Sequence, residues 1–238
     1  MTAPHQLQQL LGLRRPPVAV SFRASAPAGV PHVDSAGPSS CSYWKLAAEG
    51  RTFYTEASDH HNCPIGAYTH GVDLTEQVMA DLQGVVTTMI GLGYLRGEEV
   101  PDVPRRDAPF GVAVYSPLAQ ADGEPDVVIV AGNARQMMLL AEAAGAAGVM
   151  GRPTCAALPQ AGLMGRPTCA AVPEVLRSQA GVASLGCIGN RVYTGLGDDE
   201  LYFALPGEHV EAVTEKLAAI VHANRELENY HRARALHA

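Results

Sequence analysis

No apolar run in this chain of 238 residues reaches the roughly 18 residues that would read as a membrane-spanning helix. Met1 to Gly12 likewise lacks the basic start and apolar stretch of a secretory leader. The expectation is a soluble, cytoplasmic protein with no membrane partner. Lysine is nearly missing, with only Lys45 and Lys216, and the 17 basic residues are scattered among 24 acidic ones for a formal charge of −7. That distribution offers no footprint for a phosphate backbone, so nucleic acid is not an expected partner. The chain also has no nucleophile elbow, phosphate loop or His-Glu-x-x-His, which sets aside the common hydrolases and nucleotide triphosphatases. Gly132-Asn133-Ala134-Arg135 follows an apolar strand but lacks the full Gly-x-Gly-x-x-Gly run. Asn133 is therefore read as a helix cap and not as part of a dinucleotide site.

What is present is a hydrophobic content of 47%, enough for one substantial core. The five cysteines are an odd number, and with no leader expected this favours metal binding or thiol chemistry over a disulfide framework. Four of them sit in short segments punctuated by glycine or proline. These are Cys41 in Cys-Ser-Tyr-Trp-Lys, Cys63 in Asn-Cys-Pro-Ile-Gly, Cys169 in Pro-Thr-Cys-Ala and Cys187 in Leu-Gly-Cys-Ile-Gly-Asn. Thiolates that bind metal need backbone amides nearby, and such turns supply them; Gly66, Gly186 and Gly189 are the candidates here. No two of the four form a Cys-x-x-Cys pair, so a shared site must be assembled from distant loops. Dispersed ligands favour an iron–sulfur cluster, expected as 4Fe-4S, with zinc as the alternative cofactor. A thiol-based redox enzyme is a second alternative, and in a metal-free interaction module Cys41 and Cys187 would simply fill the core.

One stretch repeats itself. Residues 147–160 read AGVMGRPTCAALPQ and residues 161–174 read AGLMGRPTCAAVPE, identical at eleven of fourteen positions. A single short echo is a local tandem duplication and no solenoid, and it provides Cys155 as a substitute for Cys169.

Periodicity predicts helices over Gln6–Gly12, Leu74–Ile90 and Ala134–Ala147, a helical turn over Trp44–Ala48, and a long amphipathic helix from Glu208. The C-terminal stripe runs Val210, Val213, Leu217, Ile220, Asn224, Leu227. Strands are predicted at Pro17–Phe22, Thr52–Tyr54, Gly111–Tyr115 and Asp126–Ala131, with Glu200–Ala204 as an edge or hairpin strand and Asn62–Gly66 as a tight turn. Residues 98–109, with three prolines, read as an extended, solvated linker. The expected architecture is one compact α+β domain over residues 1–238, a mixed or antiparallel sheet with flanking helices.

Weaker candidates surround the cysteines. Asp59-His60-His61-Asn62-Cys63 packs a carboxylate, two imidazoles and a thiol together, but adjacent histidines on an extended stretch face opposite ways, so at most one reaches a common site. A solvated loop is the bland alternative. Lys45 and Arg191 are candidates to grip a small anionic ligand, against ordinary roles as a snorkelling side chain and a turn residue.

The segments CSYWKLA, NCPIGAY, LGYLRGEEVP, PDVVIVAGNARQMM, GRPTCAALP, SLGCIGNRVYTGL, DELYFALPG and ANRELENYHRAR resemble, in that order, the uncharacterised family called domain of unknown function number 169. The resemblance runs from about Pro17 to His231 and implies one compact α+β unit carrying cysteine motifs. The duplicated GRPTCAA departs from the family pattern. The 18 positions from Cys169 to Cys187 resemble the family spacing better than the 32 from Cys155, which makes Cys169 the counterpart. The resulting expectation is a redox or cofactor-binding protein using Cys41, Cys63, Cys169 and Cys187, with a small anion or a redox protein as partner, and compatible with a homo-oligomer.

Overall fold

The computed structural model describes residues 2–35, 37–93, 96–98, 103–149 and 167–235. Its frame is a six-stranded sheet of β1 (Val18–Arg23), β2 (Phe53–Glu56), β3 (Val112–Pro117), β4 (Val127–Asn133), β5 (Val182–Ser184) and β6 (Glu200–Pro206). The spatial order is β2-β3-β1-β4-β6-β5, and every pairing is antiparallel. Val127, Val128, Ile129 and Val130 in the centre are all buried because helices cover both faces of the sheet.

The helices are α1 (Ala3–Leu11), α2 (Cys41–Ala48), α3 (Pro64–His70), α4 (Glu76–Gly91), α5 (Ala134–Ala146), α6 (Ala171–Ser178), α7 (Ile188–Thr194) and α8 (Val210–Ala235). On one face Leu7 and Leu11 of α1, Leu140 of α5 and Leu217 of α8 pack on Ala19, Val128, Val130 and Phe203. On the other, Tyr43 and Trp44 of α2 and Val172 and Val175 of α6 pack on the alternate residues Val18, Val20, Val127 and Ile129. This period-2 division of β1 and β4 between two cores is what a strand with both faces covered requires. Cys41 and Cys169 belong to the second core, so the cysteine-bearing segments all lie on the side of α2 and α6. The result is an α+β fold in one domain with a long C-terminal helix.

Several sequence expectations are met closely. Gly12 ends α1 in the left-handed conformation at φ 62°, and Asn133 caps α5 in a reciprocal capping box with Gln136. Others differ. The strand expected at an edge or in a hairpin, β6, lies inside the sheet between β4 and β5, and α7 separates it in the chain from its neighbour β5. The expected turn at Asn62–Gly66 is the end of a 3-10 segment followed by the start of α3. The stripe on α8 is buried at Val210, Val213 and Leu217, but Leu227 is 55% exposed because the helix runs past the sheet. The proline-rich segment is not a free linker where it is described. Pro104 is buried, the Arg106 amide donates to the Thr69 carbonyl at 2.9 Å, and its guanidinium covers the Phe22 ring at 4.3 Å. Most of the tandem repeat, Cys155 included, lies outside the described residues, as do 99–102. Among the described residues no helix is long and apolar enough to cross a membrane.

Candidate metal centre

Each of the four cysteines starts or caps a helix. Cys41 opens α2, its amide donating to the Ser39 hydroxyl at 3.3 Å. Cys63 is the N-cap of α3, where its sulfur accepts the Gly66 amide at 3.3 Å and so replaces the oxygen of a usual cap. Cys169 lies in the 3-10 turn Thr168–Ala170 that leads into α6. Cys187 is the N-cap of α7, and its amide donates to the Thr168 hydroxyl at 2.6 Å, tying that turn to the one carrying Cys169. Cys41 and Cys169 are buried, Cys63 and Cys187 are half-buried, and all four are free thiols.

These elements bring the thiols into one neighbourhood. The Cys169 thiol is pushed well above its ordinary value, first because Cys41 engages it directly and then by burial, while the Thr69 hydroxyl acts the other way. Burial pushes the Cys63 thiol up to about 11, with Cys169 and then Cys187 as the raising charges and the backbone amides of Ser40 and Gly66 opposing them. Both groups are therefore protonated at neutral pH. Among the described residues no three of His, Cys, Asp or Glu yet stand in the geometry of a metal-holding group. The thiols are gathered without converging on a single point.

The cysteines' immediate neighbours were not legible as site residues. Ser40 and Ser42 flank Cys41, both are buried, and both hydroxyls lack a protein hydrogen-bond partner. Ser40 sits hard against α3, since a Cβ on Gly66 would fall 2.0 Å from its Oγ and 3.2 Å from the Cys63 Cβ. Asn190, on α7 three residues after Cys187, buries an unpartnered Oδ1. A signal existed in the Ser-Ser-Cys-Ser run, but hydroxyl residues beside a turn are common and carry no ligand meaning alone.

The weaker candidates separate. His60 is fully buried, correcting the solvated-loop alternative, whereas His61 is half-buried and its Nε2 meets the Asp73 carbonyl at 2.9 Å. His60 packs against His70 with the rings tilted and 4.7 Å between centroids, and burial holds His70 down at about 4 and His60 well below the usual imidazole range. The Arg191 guanidinium is committed to the carbonyls of Gly197, Leu185 and Glu200, so it holds its own loop together in place of an anion. Lys45, loosely paired with Glu49 at 3.9 Å, lines a cavity of about 20 Å³ with Arg15 and Trp44, whose indole Nε1 is unpartnered. That space is about the size of one water. The Gly66 amide meets its expected sulfur, the Gly186 amide instead donates to the Ser184 hydroxyl at 3.3 Å, and no contact marks Gly189 out.

No solved structure matches this chain. It is 28% identical over 220 residues to the uncharacterized protein MJ0308 of Methanocaldococcus jannaschii, covering 89% of this chain and 91% of that protein. The model of the family described as Uncharacterised ArCR, domain of unknown function 169, matches residues 6–216 and so takes in every strand among the described residues and all five cysteines. The chain belongs to that family.

Proposed function

We propose that Cys41, Cys63, Cys169 and Cys187 hold one metal centre, an iron–sulfur cluster, and that the protein is a redox or cluster-carrying protein of a reducing cytoplasm. The observation that carries this reading is the gathering of four thiols from four separate helix starts into one electrostatic neighbourhood. Four soft sulfur donors suit iron–sulfur or zinc chemistry and suit hard cations poorly. The buried hydroxyls of Ser40 and Ser42 and the amides of Ser40 and Gly66 supply donors beside the sulfurs, which is how proteins compensate the negative charge of a cluster. The partial exposure of Cys63 and Cys187 supports access by a redox partner protein.

Zinc fits the same donors and is the first alternative. A thiol redox role is a second, favoured by the direct interaction of Cys41 with Cys169. Raised thiols are poor nucleophiles at neutral pH, which counts against this role, since disulfide formation and attack at a substrate both need the thiolate.

The test is metal and sulfide analysis of anaerobically purified protein carrying Cys→Ser at each of the five positions. The expected result is loss of iron and sulfide at Cys41, Cys63, Cys169 and Cys187, with Cys155→Ser unchanged. Stoichiometric zinc without sulfide selects the alternative, and a metal-free wild type that forms a reversible Cys41–Cys169 disulfide selects the second.

A further inference from the structure

The strand order β2-β3-β1-β4-β6-β5 reads the same from either end when β1, β2 and β3 are exchanged with β4, β5 and β6. The registers obey the same exchange. Val18 pairs with Pro117 as Val127 pairs with Pro206, and Phe53 pairs with Tyr115 as Val182 pairs with Ala204. If Val18 corresponds to Val127, the seam pair Val18–Ile129 must become Val127–Val20, and Ala19–Val128 must map onto itself. Both are the observed partners.

The details outside the sheet agree. Both β3 and β6 end in proline and run into a three-residue 3-10 turn. There the Leu118 amide donates to the Pro17 carbonyl at 2.7 Å as the Gly207 amide donates to the Asp126 carbonyl at 3.3 Å. Helices α2 and α6 each have eight residues, and α3 and α7 each have seven. Cys63 caps α3, which ends at Gly71 with φ 74°, and Cys187 caps α7, which ends at Gly195 with φ 69°. Cys41 follows Ser40 and lies twelve residues before Phe53, while Cys169 follows Thr168 and lies thirteen before Val182. Helix α2 touches α7 across the seam, and its counterpart α6 touches α3.

We propose that residues 18–120 and 127–209 are two copies of one β-α-β-α-β unit fused in tandem, and that the four cysteines are the same two positions supplied twice to a site on their shared pseudo-two-fold axis. The occupant is a metal centre with that symmetry, which an iron–sulfur cluster has, and each half contributes one buried thiol (Cys41 or Cys169) and one helix-capping thiol (Cys63 or Cys187). This rests on the metal-centre reading for the occupant but not for the symmetry. The interleaving of the halves is carried by α2 against α7 and α3 against α6, and the charge interactions agree with it: Cys63 of the first half feels Cys169 of the second, and Cys41 acts on Cys169. The site is complete only when both halves are docked.

The test compares counterparts. Iron and sulfide are measured in anaerobically purified Cys41→Ser, Cys169→Ser, Cys63→Ser and Cys187→Ser. The symmetric site predicts equal losses for Cys41→Ser and Cys169→Ser, and equal losses for Cys63→Ser and Cys187→Ser. A cysteine that is dispensable while its counterpart is essential overturns it. A second measurement needs neither metal nor a cysteine substitution. A protease site placed in the exposed turn at Asp122–Gly123 allows the full-length protein to be cut between the halves, stripped of metal and treated with diamide. Diamide takes two electrons and two protons from Cys41 and Cys169 and leaves one S–S bond. The two fragments should become joined by a disulfide mapped to Cys41–Cys169. Fragments that stay unlinked overturn the shared axis, whereas linked fragments from a protein that never holds metal leave the symmetry standing and remove the metal-centre reading.

Discussion

At the scale of single residues, the chemistry of the site is set by burial acting on protons. Cys63 and Cys169 keep their protons at neutral pH because a thiolate there would be poorly solvated and would face other sulfurs. A metal ion binds thiolates, so on the proposed metal-centre reading loading must expel those protons. Proton release on adding ferrous iron or zinc to the metal-free protein near pH 7, followed with an indicator dye, is the expected outcome, with apparent affinity rising as pH is raised. The same shift bears on the metal-free protein: a thiol pushed up to about 11 stays protonated in the fold while the unfolded chain ionises, so stability is lost as pH rises from about 9 towards 11. The histidine pair acts at the other end. His70 stays neutral down to about 4, whereas an unfolded histidine takes its proton near 6.5, so its contribution is present above 6.5 and lost as pH falls towards 4. This is worth on the order of 3 kcal/mol by the ordinary conversion of a pKa difference. Denaturant midpoints between pH 7 and pH 4 should fall steeply in the wild type and less steeply in His70→Gln.

At the scale of elements, the short helices α3 and α7 matter more than the long ones because they aim the capping sulfurs. Helix α3 can approach Ser40 and Cys41 only because position 66 has no side chain: a Cβ there would fall 2.0 Å from Ser40 Oγ and 2.6 Å from its Cβ. Gly66→Ala should force the two segments apart, costing about 1–3 kcal/mol in thermal or denaturant unfolding and lowering metal content. The far end of α8 is the contrast. Beyond Asn224 its anchors are exposed ion pairs such as Arg135 with Glu228, which contribute little. Removing the chain from Asn229 onward should leave the unfolding temperature nearly unchanged, and a large drop would show that this end carries more than its exposed contacts indicate. The longer elements α4, α5 and α8 were legible in the sequence because periodicity and caps speak over three or more turns, and the short α1 was legible from its amphipathic pattern and terminal Gly12. Strand β5, with three residues, and α6 and α7, with eight and seven, were not, since so few positions carry no period and tertiary packing fixes them.

At the scale of the whole molecule, the two-fold arrangement explains why the cysteines show no compact spacing. A site assembled twice over from one repeated unit has its ligands separated by whole secondary-structure elements, so no Cys-x-x-Cys arises. The cysteine segments themselves stood out in the sequence; that Cys41 engages Cys169, and that Cys63 feels both Cys169 and Cys187, could come only from the fold. The repeat escaped the sequence for a related reason. Helix α4 interrupts the first copy and α5 the second, so corresponding positions drift out of any fixed period, and the packing residues differ, with Phe53 answering to Val182 and Tyr115 to Ala204. The short 14-residue echo at 147–174 was visible because its letters match, while the larger repeat matches in register and capping instead. The central claim, that the four cysteines hold an iron–sulfur centre, is tested most directly by the optical spectrum of the anaerobically purified full-length protein, read together with its iron and acid-labile sulfide content. Broad visible absorption that bleaches in air, with iron and sulfide in matching amounts, is the predicted result; a colourless protein holding neither iron nor sulfide would contradict it.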